Sequence, residues 1–338
     1  AGIPRCRGRG ATTSGDGRRR GDDHDEDDPD GEGEIEATLI RQTAAASTIG
    51  AVLYVHGRSD YFFQTHVADH FAEQGYRFYA LDLRKCGRST RPGQSPHYVT
   101  NIGYYDEELN EALRIIRADG SGPVLVVAHS TGGLTTSLWL DRRRRVGLEN
   151  PDAPDAMVGL VLNSPFFDLP GPSYLRTVVA AGIIDALGWL RAQLIVPNKV
   201  DDSYGASIHV SGRGAWDYNL DWKPLGGFPI QIGWLRAIRR AQSLLHRGID
   251  VGVPTLILRS KLSSFVAAHA ADIDIADAVL DVRQIQRWAG CLGTRTTVVP
   301  ITDARHDVFL SGPTPLAAAF SELDTWLDWL QSHRDQRG

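Results

Sequence analysis

Six short runs of continuous apolar residues, separated by stretches of helical periodicity, constrain this chain more than any other feature. The runs are Ala51–Val55, Arg77–Leu81, Val124–Ala128, Val158–Leu162, Thr255–Leu258 and Thr296–Ile301, most of them rich in Val, Ile or Leu. A strand with one wet face alternates apolar and polar residues. One that is apolar nearly throughout suits burial on both faces, as in a parallel sheet covered by helices. Helical patterns fall between the runs at 65–74, 105–118, 131–145, 281–289 and 314–331. In the last of these, Leu316, Phe320, Leu323, Leu327 and Leu330 recur at helical spacing. Strands alternating with helices predict an α/β fold with a doubly wound, mostly parallel sheet. Glu34–Arg41, which alternates Ile35, Ala37 and Leu39 with polar neighbours, predicts a half-buried strand.

Residues 165–252 interrupt the alternation. They hold four of the eight Trp and no clear strand, and so long an insertion in such a sheet usually covers the end where ligands bind. The expected organisation is a charged tail over 1–33, a core over 34–164 and 253–338, and a helical cap insertion over 165–252.

The net charge of −5 lies wholly in the first 36 residues, which carry six Arg against eleven Asp or Glu. The rest is neutral, with no basic stripe to follow phosphates, so no nucleic-acid partner is expected. Residues 1–33 have almost no apolar side chain after Ile3 and are expected to be disordered, with Asp22–Asp28 a solvated run rather than a cation site. Cys6, Cys86 and Cys291 are odd in number, far apart and without zinc spacing, which suits a reducing, cytoplasmic setting. No secretory signal is evident. Tyr174–Val196, the most apolar long stretch, is interrupted by Arg176, Asp185 and Arg191, so no membrane span is expected.

The chemistry-bearing motifs sit where strands end. Val124–Ala128 runs through His129-Ser130-Thr131-Gly132-Gly133 into a helix, the setting that holds a nucleophilic serine at the tip of a sharp turn. The bland alternative is a helix-capping serine. Val52–Val55 ends in His56-Gly57-Arg58, whose Arg58 N–H, with that of Thr131, could hold a developing oxyanion. His56 itself reads as a structural hydrogen-bonder. After the last apolar run comes Asp303-Ala304-Arg305-His306-Asp307-Val308, which places His306 as the general base.

Together with Asp82 through Gly87-Arg88-Ser89, these fragments resemble the α/β-hydrolase superfamily, within it the monoacylglycerol lipase, lysophospholipase and serine aminopeptidase-like branch. The resemblance covers roughly Gly33 to Trp329. It implies the α/β-hydrolase fold, a cap after the sixth strand, and an acid between Ser130 and His306 in sequence. Arg259-Ser260-Lys261-Leu262-Ser263-Ser264, which follows Thr255–Leu258, contains no Asp. Asp277-Ala278-Val279-Leu280-Asp281 reproduces the branch's Asp-x-Val-x-Asp pattern after an inserted loop, so Asp277 is the expected acid, with Asp274 and Asp281 as alternatives.

These residues predict an esterase- or lipase-like serine hydrolase for small acyl esters, with apolar or aromatic acyl groups tolerated, using no metal and no organic cofactor. An amidase or aminopeptidase with the same triad, and a ligand-binding scaffold without turnover, are the rival readings. Trp216, Tyr218, Trp222, Phe228 and Trp234 are candidates either to line an acyl pocket or to form the cap's own core. Thr177–Ile184 is expected to be an ordinary packed helix, with a lid that touches lipid transiently as the alternative.

Overall fold

The structure, a computed structural model, describes residues 5–6, 27–42, 49–171, 173–197, 201–265, 270–293 and 295–335. Among them, eight strands form one sheet: β1 (Arg5–Cys6), β2 (Thr38–Arg41), β3 (Gly50–Val55), β4 (Tyr76–Asp82), β5 (Val124–His129), β6 (Met157–Asn163), β7 (Thr255–Ser260) and β8 (Thr296–Ile301). Their order across the sheet is β1-β2-β4-β3-β5-β6-β7-β8. The β1–β2 and β2–β4 pairs are antiparallel and all others are parallel. The helices are α1 (Thr65–Glu73), α2 (Asp106–Ala118), α3 (Thr131–Arg145), α4 (Val178–Leu190), α5 (Ser203–Ile208), α6 (Ile232–His246), α7 (Ala270–Asp274), α8 (Val282–Trp288) and α9 (Pro313–Asp335).

β3 and β5 are buried at every position because helices cover both faces of the sheet. Along β3, Val52 and Tyr54 pack with α1 and α9, whereas Ala51, Leu53 and Val55 pack with α2, α3 and α6. β8 departs from the expectation of full burial. It is an edge strand, half exposed along most of its length, and it tolerates Pro300 because one side of its backbone needs no partner. Strand order reverses at β3: β4 lies on one side of it and β5, the next strand in the chain, on the other. The crevice at the C-terminal ends of β3 and β5 is therefore the natural ligand site of this topology.

The insertion at 165–252 is not uniformly a cover. Trp234, Ala237, Ile238, Ala241 and Leu245 of α6 belong to the main core. Trp216 and Tyr218 instead pack with Tyr61, Phe63, Ile208, Leu310 and Trp222 in a small separate cluster. Nor is α4 an ordinary packed helix: Val179, Ile183, Leu187, Trp189 and Leu190 are exposed. No helix of the described residues is long and apolar enough to cross a membrane.

The acidic segment is a strap where it enters the described residues. The Lys85 ammonium, fully buried, lies 2.6 Å from Asp28 Oδ2, 3.2 Å from Glu32 Oε2 and 3.9 Å from Asp30 Oδ2. Asp30 also binds Thr100, and Glu32 Oε1 accepts from Gln193 at 3.3 Å, which links the strap to the insertion. The expectation of a solvated tail thus fails for Asp28, whose carboxylate is buried. The rest of Asp22–Asp28, apart from Asp27, lies outside the described residues. A buried ammonium requires a compensating anion, and composition alone does not reveal that one of these acids meets it. Asp28→Asn is expected to lower unfolding free energy by about 1–3 kcal/mol, the cost of losing one charge-assisted bond inside. An unchanged urea midpoint would mean that the strap is not docked in solution.

Candidate active site

Ser130 follows β5 with φ 51° and ψ −119°, a conformation that costs a residue with a side chain about 1–3 kcal/mol. The backbone folds this tightly because β5 passes directly into α3 beside the loop after β3. A Cβ on Gly132 would stand 2.4 Å from His56 O, and one on Gly57 would stand 2.9 Å from Ser130 Cβ. Only glycine fits at both places. Ser130 precedes the helix, yet its side chain makes no capping hydrogen bond, which removes the capping-serine reading. Its hydroxyl is left without a role in stabilising the turn.

His306 lies on the loop after β8, beside the elbow: its ring centroid is 4.8 Å from that of His129 and 5.8 Å from that of Tyr204. His306 Nδ1 is 2.9 Å from Asp277 Oδ2, and both side chains are buried. An Nδ1–H donated to this carboxylate leaves Nε2 as the proton acceptor. The other oxygen of Asp277 accepts from the amides of Val279 and Leu280, which fixes the plane of the carboxylate.

The inserted loop reaches this place by closing on itself. Asp277 N donates to Leu262 O, Ser264 N donates to Asp277 O, and Ser263 and Asp277 pair as a parallel bridge. The chain therefore leaves the end of β7 and returns to it, with Asp277 delivered where residues 259–264 supply no acid. The alternatives go elsewhere. Asp274 pairs with Arg305 at 3.2 Å, and Asp281 caps α8 by accepting from Arg283 N.

His56 orients the loop after β3. Leu83 N donates to its Nε2, so the proton is on Nδ1, which donates to Gly57 O at 2.7 Å. That carbonyl belongs to the same peptide unit as Arg58 N–H, so the ring pins the orientation of one of the two expected oxyanion donors. Arg58, Thr131 and Gly132 line a small chamber with His56, Leu83, Cys86, His97, Ile102, Tyr105, Thr135, Trp234 and Ile238. Of the five aromatic candidates, Trp234 lines the chamber. Phe228 faces its wall residue His97 at 5.4 Å between ring centroids, whereas Trp216, Tyr218 and Trp222 pack away from it.

Asn163, at the end of β6, was not singled out by the sequence patterns, yet it joins the two halves of the site. Its backbone carbonyl accepts from Ser130 N and lies 3.0 Å from His129 Nδ1. Its side chain donates to Asp307 Oδ1 at 2.6 Å and accepts from Val308 N at 3.1 Å. Asp307 is further held by Gln64 Nε2, which braces the backbone beside His306. An Asn after an apolar strand carries no local signal of this, since its partners lie far along the chain. Loop Arg58–Asp60 is tied to the insertion residue by residue. Arg58 donates to Phe228 O and Pro229 O, Ser59 Oγ accepts from Phe228 N, and Asp60 pairs with Lys223 at 2.9 Å. Burial pushes the Asp60 carboxyl up, but Lys223, with His129 and His56, outweighs it and holds the group below its ordinary range. Burial also lowers His129. Among the described residues, no three His, Cys, Asp or Glu are grouped to hold a metal ion.

Such a constellation can do acyl transfer: a hydroxyl on a strained turn, an imidazole oriented by a carboxylate, and two backbone amides across the crevice. Known proteins carry the same architecture. The structure is similar to a soluble variant of Saccharomyces cerevisiae monoglyceride lipase solved with a substrate analog. That likeness has TM-score 0.61 and 15% identity over 88% of this chain and 92% of that one. It is also similar to Paleococcus ferrophilus monoacylglycerol lipase, with TM-score 0.60 and 18% identity over 89% and 99%. In sequence it is 26% identical to the uncharacterized protein YnbC of Escherichia coli K12 over 200 residues, 58% of this chain but only 30% of that protein. The family described as serine aminopeptidase, S33, matches residues 46–309. With well over half its length so matched, and with the sheet order and crevice described above, the chain belongs to the S33 serine aminopeptidase family of α/β-hydrolases.

Proposed function

We propose that this chain is a serine hydrolase that cleaves carboxylic esters through an acyl-enzyme on Ser130. The observation that carries the reading is a strained, uncapped serine directly after His129, whose ring lies 4.8 Å from that of His306, a histidine held at Nδ1 by a buried carboxylate. His306 Nε2 takes the Ser130 proton as Oγ attacks the carbonyl carbon, and the amides of Arg58 and Thr131 receive the oxyanion. The imidazolium, stabilised by Asp277, returns that proton to the departing alcohol oxygen as the C–O bond breaks. Water, deprotonated by His306, then attacks the acyl carbon, Ser130 regains its proton and the acid leaves.

Monoglyceride lipases among its structural neighbours support an ester substrate. The family description names an aminopeptidase, but a free α-ammonium would enter a chamber that already holds the Arg58 cation. The exposed apolar side of α4 suits transient contact with a lipid surface that carries the substrate. Cys86 and Cys291 are free thiols, as suits a cytoplasmic setting.

The test compares p-nitrophenyl butyrate with an aminoacyl p-nitroanilide, in the presence of EDTA. Turnover of the ester alone is expected. Turnover of the anilide alone would move the reading to an amidase. Turnover of neither, with no labelling by a fluorophosphonate, would leave a ligand-binding scaffold.

A further inference from the structure

Lys85 sits in a turn that is hydrogen-bonded, link by link, to one of the two oxyanion donors, and the acidic strap holds that turn by its side chain. The turn runs from Leu83 to Cys86: Cys86 N donates to Leu83 O at 3.1 Å, and Lys85 O accepts from His97 N at 3.0 Å. Leu83 N donates to His56 Nε2 at 3.1 Å, and His56 Nδ1 donates to Gly57 O at 2.7 Å. The next atoms in that peptide unit are the Arg58 N–H. Lys85 itself has φ 59°, a left-handed conformation that a residue with a side chain keeps only where its surroundings impose it.

The strap is built to impose it. Asp28 N donates to Gly33 O, Gly31 N donates to Asp28 O, and Asp27 pairs with Glu34, so 27–34 closes as a hairpin. That closure turns the alternate acids Asp28, Asp30 and Glu32 toward one ammonium. Asp30 is farthest from it and is engaged by Thr100, so Asp28 and Glu32 make the hydrogen bonds. The neighbouring Arg84 is anchored by Glu108 of α2, whereas the Lys85 ammonium finds its carboxylates in the strap. Buried ion pairs contribute less net stability than apolar residues of like size, and their better use is to fix one arrangement of the chain. A segment that merely covered the core would meet it with apolar side chains, and 27–34 has none but Pro29.

Resting on the serine-hydrolase reading, we propose that Asp28 and Glu32 are positioning residues. Through Lys85 they hold the Leu83–Cys86 turn, and through His56 that turn aims the Arg58 amide at the developing oxyanion. Neither acid takes part in a chemical step. With the strap released, the ammonium hydrates, the backbone at Lys85 relaxes and Leu83 N leaves His56. The ring then no longer pins the Gly57–Arg58 peptide, and one donor of two is displaced.

The test compares p-nitrophenyl butyrate with its thiono analogue, in which sulfur replaces the carbonyl oxygen. Sulfur accepts hydrogen bonds weakly, so the thiono ester draws less on the oxyanion donors. Removing one such donor outright costs about 10²–10³ in kcat, and a displaced donor is expected to cost about tenfold. Asp28→Asn, assayed well below its melting temperature, should therefore lower kcat on the oxygen ester about tenfold with KM nearly unchanged. It should also shrink the oxygen-to-sulfur ratio of kcat/KM. Asp28→Glu, which keeps the charge, should recover part of both. Gln193→Ala, which cuts only the strap's bond to the insertion, should change neither. Should Asp28→Asn fail to fold, Glu32→Gln carries the same comparison with a smaller change in the same direction, since its carboxylate is less buried. A ratio that stays at the wild-type value in folded strap variants overturns the proposal, because lost stability alone lowers both esters alike. An equal effect from Gln193→Ala also overturns it, since the strap then acts through the insertion. If wild type hydrolyses neither ester, the proposed function fails, and the positioning is read by NMR instead. The Arg58 amide and His56 imidazole proton resonances should shift in Asp28→Asn but not in Gln193→Ala, and unmoved resonances overturn it.

Discussion

Ser130→Ala is expected to lower kcat on a neutral ester by roughly 10⁶-fold while leaving the melting temperature nearly unchanged. The first half follows from the unit action of a triad, in which losing the nucleophile costs about as much as losing all its members. The second follows from the turn. Ser130 makes no capping bond, so its hydroxyl contributes little to the fold, and alanine at φ 51° bears the same strain as serine. The pairing is diagnostic, because a structural serine would cost stability and a catalytic one would cost rate. Measured kcat within a hundredfold of wild type, or fluorophosphonate labelling that persists in the variant, would remove Ser130 from the mechanism.

Asp277→Asn should cost about 10⁴-fold in kcat, again with the fold retained. The amide oxygen can still accept from Val279 N and Leu280 N, which preserves the loop. Its NH₂ then faces His306 Nδ1 and demands an acceptor there, so the ring proton moves to Nε2. In that tautomer His306 cannot take a proton from Ser130. Asp274→Asn and Asp281→Asn are expected to stay within about tenfold, because Asp274 is engaged by Arg305 and Asp281 by the first turn of α8. Kinetics on the three variants, with circular dichroism as a folding control, decides the matter. A near-silent Asp277→Asn beside a crippled neighbour would mean that the loop adopts a different closure in solution.

Local patterns suffice for a good deal of this protein. A run such as Val124–Ala128 is apolar on both faces, and that is enough to bury it in the middle of a parallel sheet. The turn from that run into α3 likewise announces Ser130, because a tight strand-to-helix passage needs Gly132 and leaves its tip exposed to the crevice. His306 is legible for the same reason: the loop after a terminal strand opens on the C-terminal edge of the sheet.

Partnerships were not legible, because a side chain's meeting with one remote group leaves no trace in spacing. Asn163 joins Asp307 from 144 positions away, and Lys85 meets Asp28 from 57 away. The acidic strap looked like solvated tail because charge and lack of apolar residues are all that composition records. That one of those acids neutralises a buried ammonium depends on where the loop after β4 turns. Asp277 could be matched to a pattern, but only the Ser263–Asp277 bridge brings it back to the end of β7. Arg58 is a further case. In the chain it is one more polar residue after His-Gly, and only the fold stacks it on Trp234 and ties it to the carbonyls of Phe228 and Pro229 in the insertion. Periodicity and turn chemistry act between neighbours in the chain and set the elements. Desolvation and charge pairing act between groups that only the tertiary structure brings together, and they decide what the site will bind.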